Sequence, residues 1–149
     1  MQRLTYVAAA TGLLLSSVAG AALKSESDMD ALVDNVTSLL GHDRSGDAFD
    51  ALIRHWPTPD KSELASMRTQ IVDAGKVNVT KFGGLVGTEK IRSCRVGRFL
   101  YKTQTVLKYE RGLVFWNFTF YNPGTGWILD SYRFDNKNFI PLTDACNFQ

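Results

Sequence analysis

The sequence predicts an α+β fold in which N-terminal helices pack on a curved, four-stranded antiparallel sheet. Apolar residues recur at a three-and-four spacing between residues 29 and 72, which is typical of amphipathic helices. Four runs rich in β-branched and aromatic residues follow between residues 85 and 134, separated by turns that contain Gly or Pro. Because tight turns join successive runs, the strands are expected to pair antiparallel as a meander.

The first 21 residues predict a secretory signal peptide. Arg3 supplies a basic start, residues 7–18 are small and apolar, and Ala19–Ala21 has the small-x-small pattern of a cleavage site. We expect cleavage after Ala21 or Ala22, which leaves residues 22–149 as one α+β domain in the periplasm or outside the cell. A stable membrane anchor is not expected, because a spanning helix needs about 20 apolar residues and this run is shorter.

Three helices are predicted within residues 25–41, 45–56 and 60–75. Gly41 and Gly75 are expected to end the first and third, because glycine commonly follows the last helical residue. Residues 76–82 read as an extended segment of ambiguous type, and the following glycine pair reads as a hinge into the sheet.

The strands are predicted at residues 85–94, 98–110, 113–121 and 126–134. Two-residue alternation assigns their faces. The apolar set of the third strand is expected to pack under the helices: Val114, Trp116, Phe118 and Phe120. The opposite face mixes aromatic, amide and hydroxyl side chains, with the members Phe115, Asn117, Thr119, Tyr121, Trp127, Leu129, Ser131 and Arg133. Two interpretations stay open for that face: a docking surface, or a surface half-covered by the C-terminal tail.

Cys94 and Cys146 are expected to form a disulfide, because an even pair of cysteines in an exported chain favours one. Two thiols so far apart, with no histidine near either, do not resemble a metal site, and we expect neither a metal nor a cofactor.

Charge is distributed unevenly along the chain. Residues 22–75 carry ten acidic and five basic side chains, whereas residues 76–149 carry five acidic and eleven basic ones. This asymmetry fits an acidic helical layer on a basic sheet, or a basic sheet face that attracts an anionic partner. Without a dense basic run, nucleic-acid binding is not expected.

The run Phe120–Trp127, with "Phe-Tyr, turn, Gly-Trp" at its ends, resembles a hairpin of small exported bacterial proteins with the cystatin-like or nuclear-transport-factor-like fold. Tyr109–Arg111 and Phe134–Asp135 add to the resemblance, which covers roughly residues 28–136. The fold implies little about function, since its members include isomerases, dehydratases, binding domains and proteins of unknown role.

The sequence favours an exported, non-catalytic binding protein for an unknown small molecule or protein. Its binding residues are expected in the helix–sheet pocket or on the aromatic sheet face: Trp56, Tyr101, Trp116, Tyr121, Trp127, Tyr132 and Arg133. One alternative is an isomerase- or lyase-type enzyme in which Asp130, on the apolar side of the fourth strand, and His55 form an acid–base pair. Another is a periplasmic inhibitor or immunity protein, and a homodimer through the sheet face is a further expectation.

Overall fold

The computed structural model describes residues 22–57, 60–136 and Cys146. In chain order its elements are α1 (Glu26–Gly41), α2 (Ser45–Ile53), α3 (Lys61–Phe82), β1 (Leu85–Val96), β2 (Leu100–Tyr109), β3 (Gly112–Tyr121) and β4 (Ile128–Asp135). The predicted α+β class is confirmed, with helices first and an antiparallel meander after them. The predicted signal peptide lies outside the described residues. Among the helices that are described, none is long and apolar enough to cross a membrane.

Helix α1 begins with a reciprocal capping box. The Asp28 N–H donates to Ser25 Oγ at 3.2 Å, and the Ser25 N–H donates to Asp28 Oδ2 at 3.0 Å. Both bonds satisfy backbone donors that have no partner within the helix. Hydrogen bonding to the Ser25 side chain, then to the Lys24 backbone, lowers the pKa of the Asp28 carboxyl. From this start the helix presents a buried apolar stripe to the sheet: Met29, Leu32, Val33, Val36 and Leu40.

Helix α3 departs most from the prediction. It does not stop at Gly75 but continues through the segment predicted to be extended, and it ends at Gly83, which has a φ of +84°. Gly75 instead marks a close approach to α2, since a Cβ at this position would overlap Ser45 Oγ. The prediction of a helix end at Gly75 was wrong, because this glycine is needed for helix packing and not for a helix end. Helix α2 also ends earlier than predicted, which leaves Trp56 beyond it in the following turn.

The sheet has the strand order β1-β2-β3-β4, and every neighbouring pair is antiparallel. Val114, Trp116, Phe118 and Phe120 of β3 are at most 2% exposed, as the alternation predicted. We call the face that carries these residues the inner face, because the helices cover it, and the opposite one the outer face. Register places the alternate residues of β2 from Tyr101 to Tyr109 on the inner face as well.

A β-bulge interrupts β4. Phe120 pairs with Leu129, but the next pair is Thr119 with Ser131, so Asp130 is left without a Cα partner. One extra residue shifts the two-residue alternation by one position, and side chains before the bulge change face relative to those after it.

The bulge corrects two predictions. Trp127 and Leu129, expected on the outer face, lie on the inner face and are 4% and 0% exposed. Asp130, expected to be a buried carboxylate, is exposed. The prediction failed because it continued a regular alternation through the irregular residue.

Cys94 and Cys146 form the predicted disulfide, with their Cα atoms 6.0 Å apart. Cys94 pairs with the outer-face residue Lys102, so Cys146 meets the sheet on its outer side. Gln104 and Val106 on the same face are 0% and 4% exposed. The predicted cover by the C-terminal tail otherwise falls outside the described residues. The disulfide fits a location outside the cytoplasm.

Candidate functional site

Four side chains, one from each strand, form a row across the inner face. Lys90, Thr105, Trp116 and Phe134 are successive register partners from β1 to β4. Thr105 and Trp116, in the middle of the row, are each 2% exposed. Phe134, at the β4 edge, is half-buried. The row therefore runs from a charged edge to an aromatic edge through a closed centre.

The aromatic edge is part of a larger group that we call the aromatic cluster: Trp56, Trp116, Tyr132 and Phe134. The Trp116 ring stacks on Phe134 at a centroid distance of 4.7 Å and on Tyr132 at 6.0 Å. Trp56 meets Tyr132 edge-on at 5.5 Å with an interplanar angle of 89°. Burial raises the pKa of the Tyr132 phenol, which therefore stays neutral. Because Trp56, Tyr132 and Phe134 are only half-buried, the cluster reaches the surface along β4.

Two polar atoms lie buried at this cluster. Trp116 Nε1 and Thr105 Oγ1 have no hydrogen-bond partner within the part of the chain that the structure describes. Their residues are directly opposite on antiparallel strands, where Cβ atoms are about 5 Å apart. Leaving a buried donor unpaired costs about 1–3 kcal/mol, so such atoms call for an explanation. A molecule with a hydrogen-bond acceptor could satisfy both donors.

A charged group joins α1 to the other edge of the sheet. The Asp30 carboxylate accepts from the Tyr101 hydroxyl at 2.9 Å and from Lys90 Nζ at 2.7 Å. The bond to Asp30 raises the pKa of the Lys90 ammonium, and desolvation raises that of the Tyr101 phenol. Both shifts move away from neutral pH, where a general base would need to be poised. This group therefore fits a structural contact that holds α1 against the sheet better than an acid–base site.

Tyr101 and Trp127 form a second, closed aromatic contact. Their ring centroids are 6.4 Å apart, and the Arg95 guanidinium lies 5.5 Å from the Trp127 ring. Arg95 also donates to Glu26 at 3.0 Å. Two backbone hydrogen bonds with Leu23, at 2.8 and 2.7 Å, fix Trp127 in place. Tyr101 and Trp127 are 3% and 4% exposed, so this pair offers no surface to a ligand.

The two residues of the predicted acid–base pair lie on adjoining segments. The His55 carbonyl accepts from the Leu129 N–H at 2.8 Å, which brings the two segments together. The exposed Asp130 carboxylate, however, accepts from the Ser131 hydroxyl at 3.2 Å. His55 lines a surface groove of about 550 Å³ with residues 22–24 and the first half of α1, and Asp130 is not part of that lining.

The seven predicted binding residues thus fall in three places. Trp56, Trp116 and Tyr132 come together in the aromatic cluster. Tyr101 and Trp127 form the closed pair. The remaining two, Tyr121 and Arg133, are exposed on the outer face. Over the described residues, no group of three or more His, Cys, Asp or Glu side chains could hold a metal ion.

Sequence reasoning missed Thr105 and Asp30. Thr105 is four residues from Tyr101 and so shares its side of β2, but only the register with β3 shows that this side is the inner one. Asp30 lies within the predicted first helix and reads there as one more solvated acid. Its partners are 60 and 71 residues away in sequence, so no local pattern signals the contact.

No family model matches the chain, and no curated protein matches it by sequence. Among solved structures, a chain from Campylobacter jejuni, provisionally described as an NTF2-like transpeptidase, is similar in structure. The TM-score is 0.51 at 16% sequence identity, over 68% of this chain and 95% of that chain. The fold is nuclear-transport-factor-like. At this identity the similarity shows the fold alone, and it confirms the resemblance that the sequence carries. The aromatic cluster lies between the end of α2 and the sheet of this nuclear-transport-factor-like fold.

Proposed function

We propose that this protein is an exported, non-catalytic binding protein whose ligand occupies the aromatic cluster. One observation carries the proposal: Trp116 Nε1 and Thr105 Oγ1 are buried beside rings that reach the surface, and neither has a hydrogen-bond partner among the described residues. Small-molecule sites are mostly apolar, with a few polar groups that fix orientation. The ligand class that matches is a small, flat, mainly apolar molecule with a hydrogen-bond acceptor on its edge.

The rim of the cluster suits entry of such a molecule. Trp56 lies in the turn after α2, not inside a helix, and meets Tyr132 edge-on. Moving the Trp56 side chain would uncover the Tyr132 ring, which stacks on Trp116, without breaking helical hydrogen bonds. Offset or edge-on ring contacts are worth about 0.5–1.5 kcal/mol, a cost that a stacking ligand would offset.

The same residues argue against the catalytic alternatives. The Asp130 carboxylate is exposed, and the Tyr101 and Lys90 pKa values both lie farther from neutrality than usual. Transpeptidation, the activity in the description of the Campylobacter protein, is acyl transfer and needs an activated nucleophile. Both cysteine sulfurs of this chain are bonded to each other. Binding is the function that these features support best.

The test uses three substitutions. Trp116→Phe and Thr105→Val each remove one of the two buried donors at the aromatic cluster. Trp127→Phe is the matched control, because it removes the same indole N–H from the closed pair. The probe is 1-anilinonaphthalene-8-sulfonate, a flat aromatic with sulfonate acceptors, titrated by its fluorescence. Native mass spectrometry of the exported protein, before and after solvent extraction, reports any co-purified molecule.

Each cluster substitution should weaken probe binding about three- to tenfold, the worth of one neutral hydrogen bond, while Trp127→Phe keeps the wild-type affinity. Circular dichroism and thermal unfolding confirm that each variant is folded. Equal losses in Trp116→Phe and Trp127→Phe, or no binding by any folded form, would reject the aromatic cluster as the site.

A second candidate is an inhibitor or immunity protein that binds a partner protein through the outer face. The exposure of Tyr121 and Arg133 on that face favours it. Replacing Tyr121 with Ala would then abolish capture of the partner from the exported fraction, while Trp116→Phe would leave capture unchanged.

A further inference from the structure

An uninterrupted apolar row crosses one end of the outer face. Val96, Leu100, Tyr121 and Ile128 are successive partners across all four strands. Tyr121 is 39% exposed, the other three are partly exposed, and Phe99 in the adjoining turn is 49% exposed. We call these five residues the end row. An exposed apolar strip that spans a whole sheet marks an interaction surface more often than isolated exposed residues do.

The end row lies beside two turns at one end of the sheet, and we call these turns the tip. Residues 97–99 connect β1 to β2, and residues 122–127 connect β3 to β4 at the same end. The Asn122 N–H donates to the Phe99 carbonyl at 2.8 Å and ties the two turns together. Arg98, Pro123 and Thr125 at this tip are all exposed. The end row therefore lies at an end of the sheet, beside exposed turn residues.

The tip carries cations and few carboxylates. Arg98 lies in the first turn and Lys102 one row behind it, while residues 96–109 and 119–129 contain no Asp or Glu. Among the carboxylates close to the tip, Glu26 is paired with Arg95, and Asp130 lies at the bulge.

The charge is also uneven over the whole chain, with the excess of cations on the side of the sheet. Residues 76–149, which include the sheet, have a net charge of +6, and residues 22–75, which include most of the helical layer, have −5. Such a dipolar charge distribution turns the sheet side toward a negatively charged surface.

We propose that the end row docks the protein reversibly on an anionic lipid surface, an activity beyond the proposed ligand binding. Phe99 and Tyr121 would enter the headgroup region, where aromatic side chains are favoured, while Arg98 and Lys102 would contact lipid phosphates. Exposed aromatic side chains at the turns, with cations beside them, suit a soft anionic surface that side chains can penetrate.

Vesicle co-sedimentation tests this proposal with matched controls from the other end of the sheet. Phe99→Ala is compared with Leu113→Ala, a residue 45% exposed on the same face. Arg98→Glu is compared with Arg111→Glu in the β2–β3 turn. Vesicles contain phosphatidylcholine alone or an equal mixture with phosphatidylglycerol, and all proteins share the wild-type N-terminus.

Wild-type protein should sediment with the phosphatidylglycerol vesicles and not with pure phosphatidylcholine, and salt should weaken the binding. Phe99→Ala should reduce the partition coefficient about tenfold, from the apolar surface lost. Arg98→Glu should reduce it more than fivefold, from the cation lost and the anion gained. Leu113→Ala and Arg111→Glu should stay within twofold of wild type.

Three results would overturn the proposal. Absence of sedimentation with anionic vesicles at low salt would exclude docking. Equal losses in Arg98→Glu and Arg111→Glu would indicate diffuse attraction without a defined tip. A wild-type dimer in solution that Phe99→Ala converts to a monomer would assign the end row to a second copy of the chain.

Discussion

Replacing Gly75 with alanine tests a close approach between α2 and α3. The new Cβ would overlap Ser45 Oγ and lie 3.3 Å from Ser45 Cβ. Ser45 is 4% exposed, so its hydroxyl has little room to move away. In an open helix, Gly→Ala stabilises by about 0.5–1 kcal/mol, whereas overpacking a buried contact costs about 1–3 kcal/mol. We expect Gly75→Ala to lower the free energy of unfolding by about 1–2 kcal/mol.

A double-mutant cycle isolates the contact. Ser45→Ala removes the overlapping oxygen and also a buried hydroxyl that has no partner among the described residues, so alone it should change stability by less than about 1 kcal/mol. Added to Gly75→Ala, it should restore most of the lost stability, because the remaining Cβ–Cβ contact needs only a small shift. The coupling energy should be about 1–2 kcal/mol.

Gly46→Ala serves as the control. Its Cβ would meet Arg68 Nη2 at 2.6 Å, the end of a flexible and exposed side chain that can swing aside. This variant should be as stable as the wild type or slightly more stable, because alanine favours the helix. Urea unfolding followed by tryptophan fluorescence, with the disulfide intact, measures all four variants. If Gly75→Ala is at least as stable as wild type, the close packing inferred at this glycine is wrong.

Three further predictions concern the disulfide, the helix cap and the bulge. Replacing Cys94 and Cys146 with serine should cost about 4 kcal/mol by chain-entropy reasoning for their separation of 52 residues, measured by urea unfolding. Alkylation of the unreduced protein should add no mass. The lowered pKa of Asp28 contributes stability that is present above the ordinary aspartate pKa and is lost as pH falls through the lowered value. Asp28→Asn should therefore flatten the acid limb of stability against pH. Asp130→Ala should change stability by less than about 1 kcal/mol, since the side chain is exposed. Deletion of the residue should leave the protein folded, because Leu129 and Ser131 would then be consecutive and would still lie opposite Phe120 and Thr119.

The parts of the fold that were predictable are those that local patterns determine. The stripe of α1 and the apolar side of β3 follow from spacing alone, and both are buried. The predictions that were wrong depended on contacts between residues far apart in sequence, which local patterns do not show. Gly75 resembles a helix end until the neighbouring helix is known, and only the pairing with β3 shows that Asp130 is the residue left over.

The candidate site was predictable in composition but not in assembly. Trp56, Trp116 and Tyr132 were selected as large amphipathic aromatics, and they do come together. Thr105 could not be selected in the same way, because threonine on a strand is ordinary. Thr105 becomes notable only once the register places it opposite Trp116 and its hydroxyl has no partner within the part of the chain that the structure describes.

The bulge at Asp130 links the two surfaces proposed for this protein. It turns Trp127 and Leu129 inward, where Trp127 closes against Tyr101. The same shift turns Ile128 outward, where it completes the end row beside Tyr121. If Asp130 took a paired position in a regular strand with Tyr132 kept in the aromatic cluster, Ile128 would point into the core and the end row would lose its fourth strand. Deleting Asp130 has a different effect, because Leu129 and Ser131 would then be consecutive and still lie opposite Phe120 and Thr119. Both the deletion and Asp130→Ala should therefore preserve vesicle docking and the inner packing.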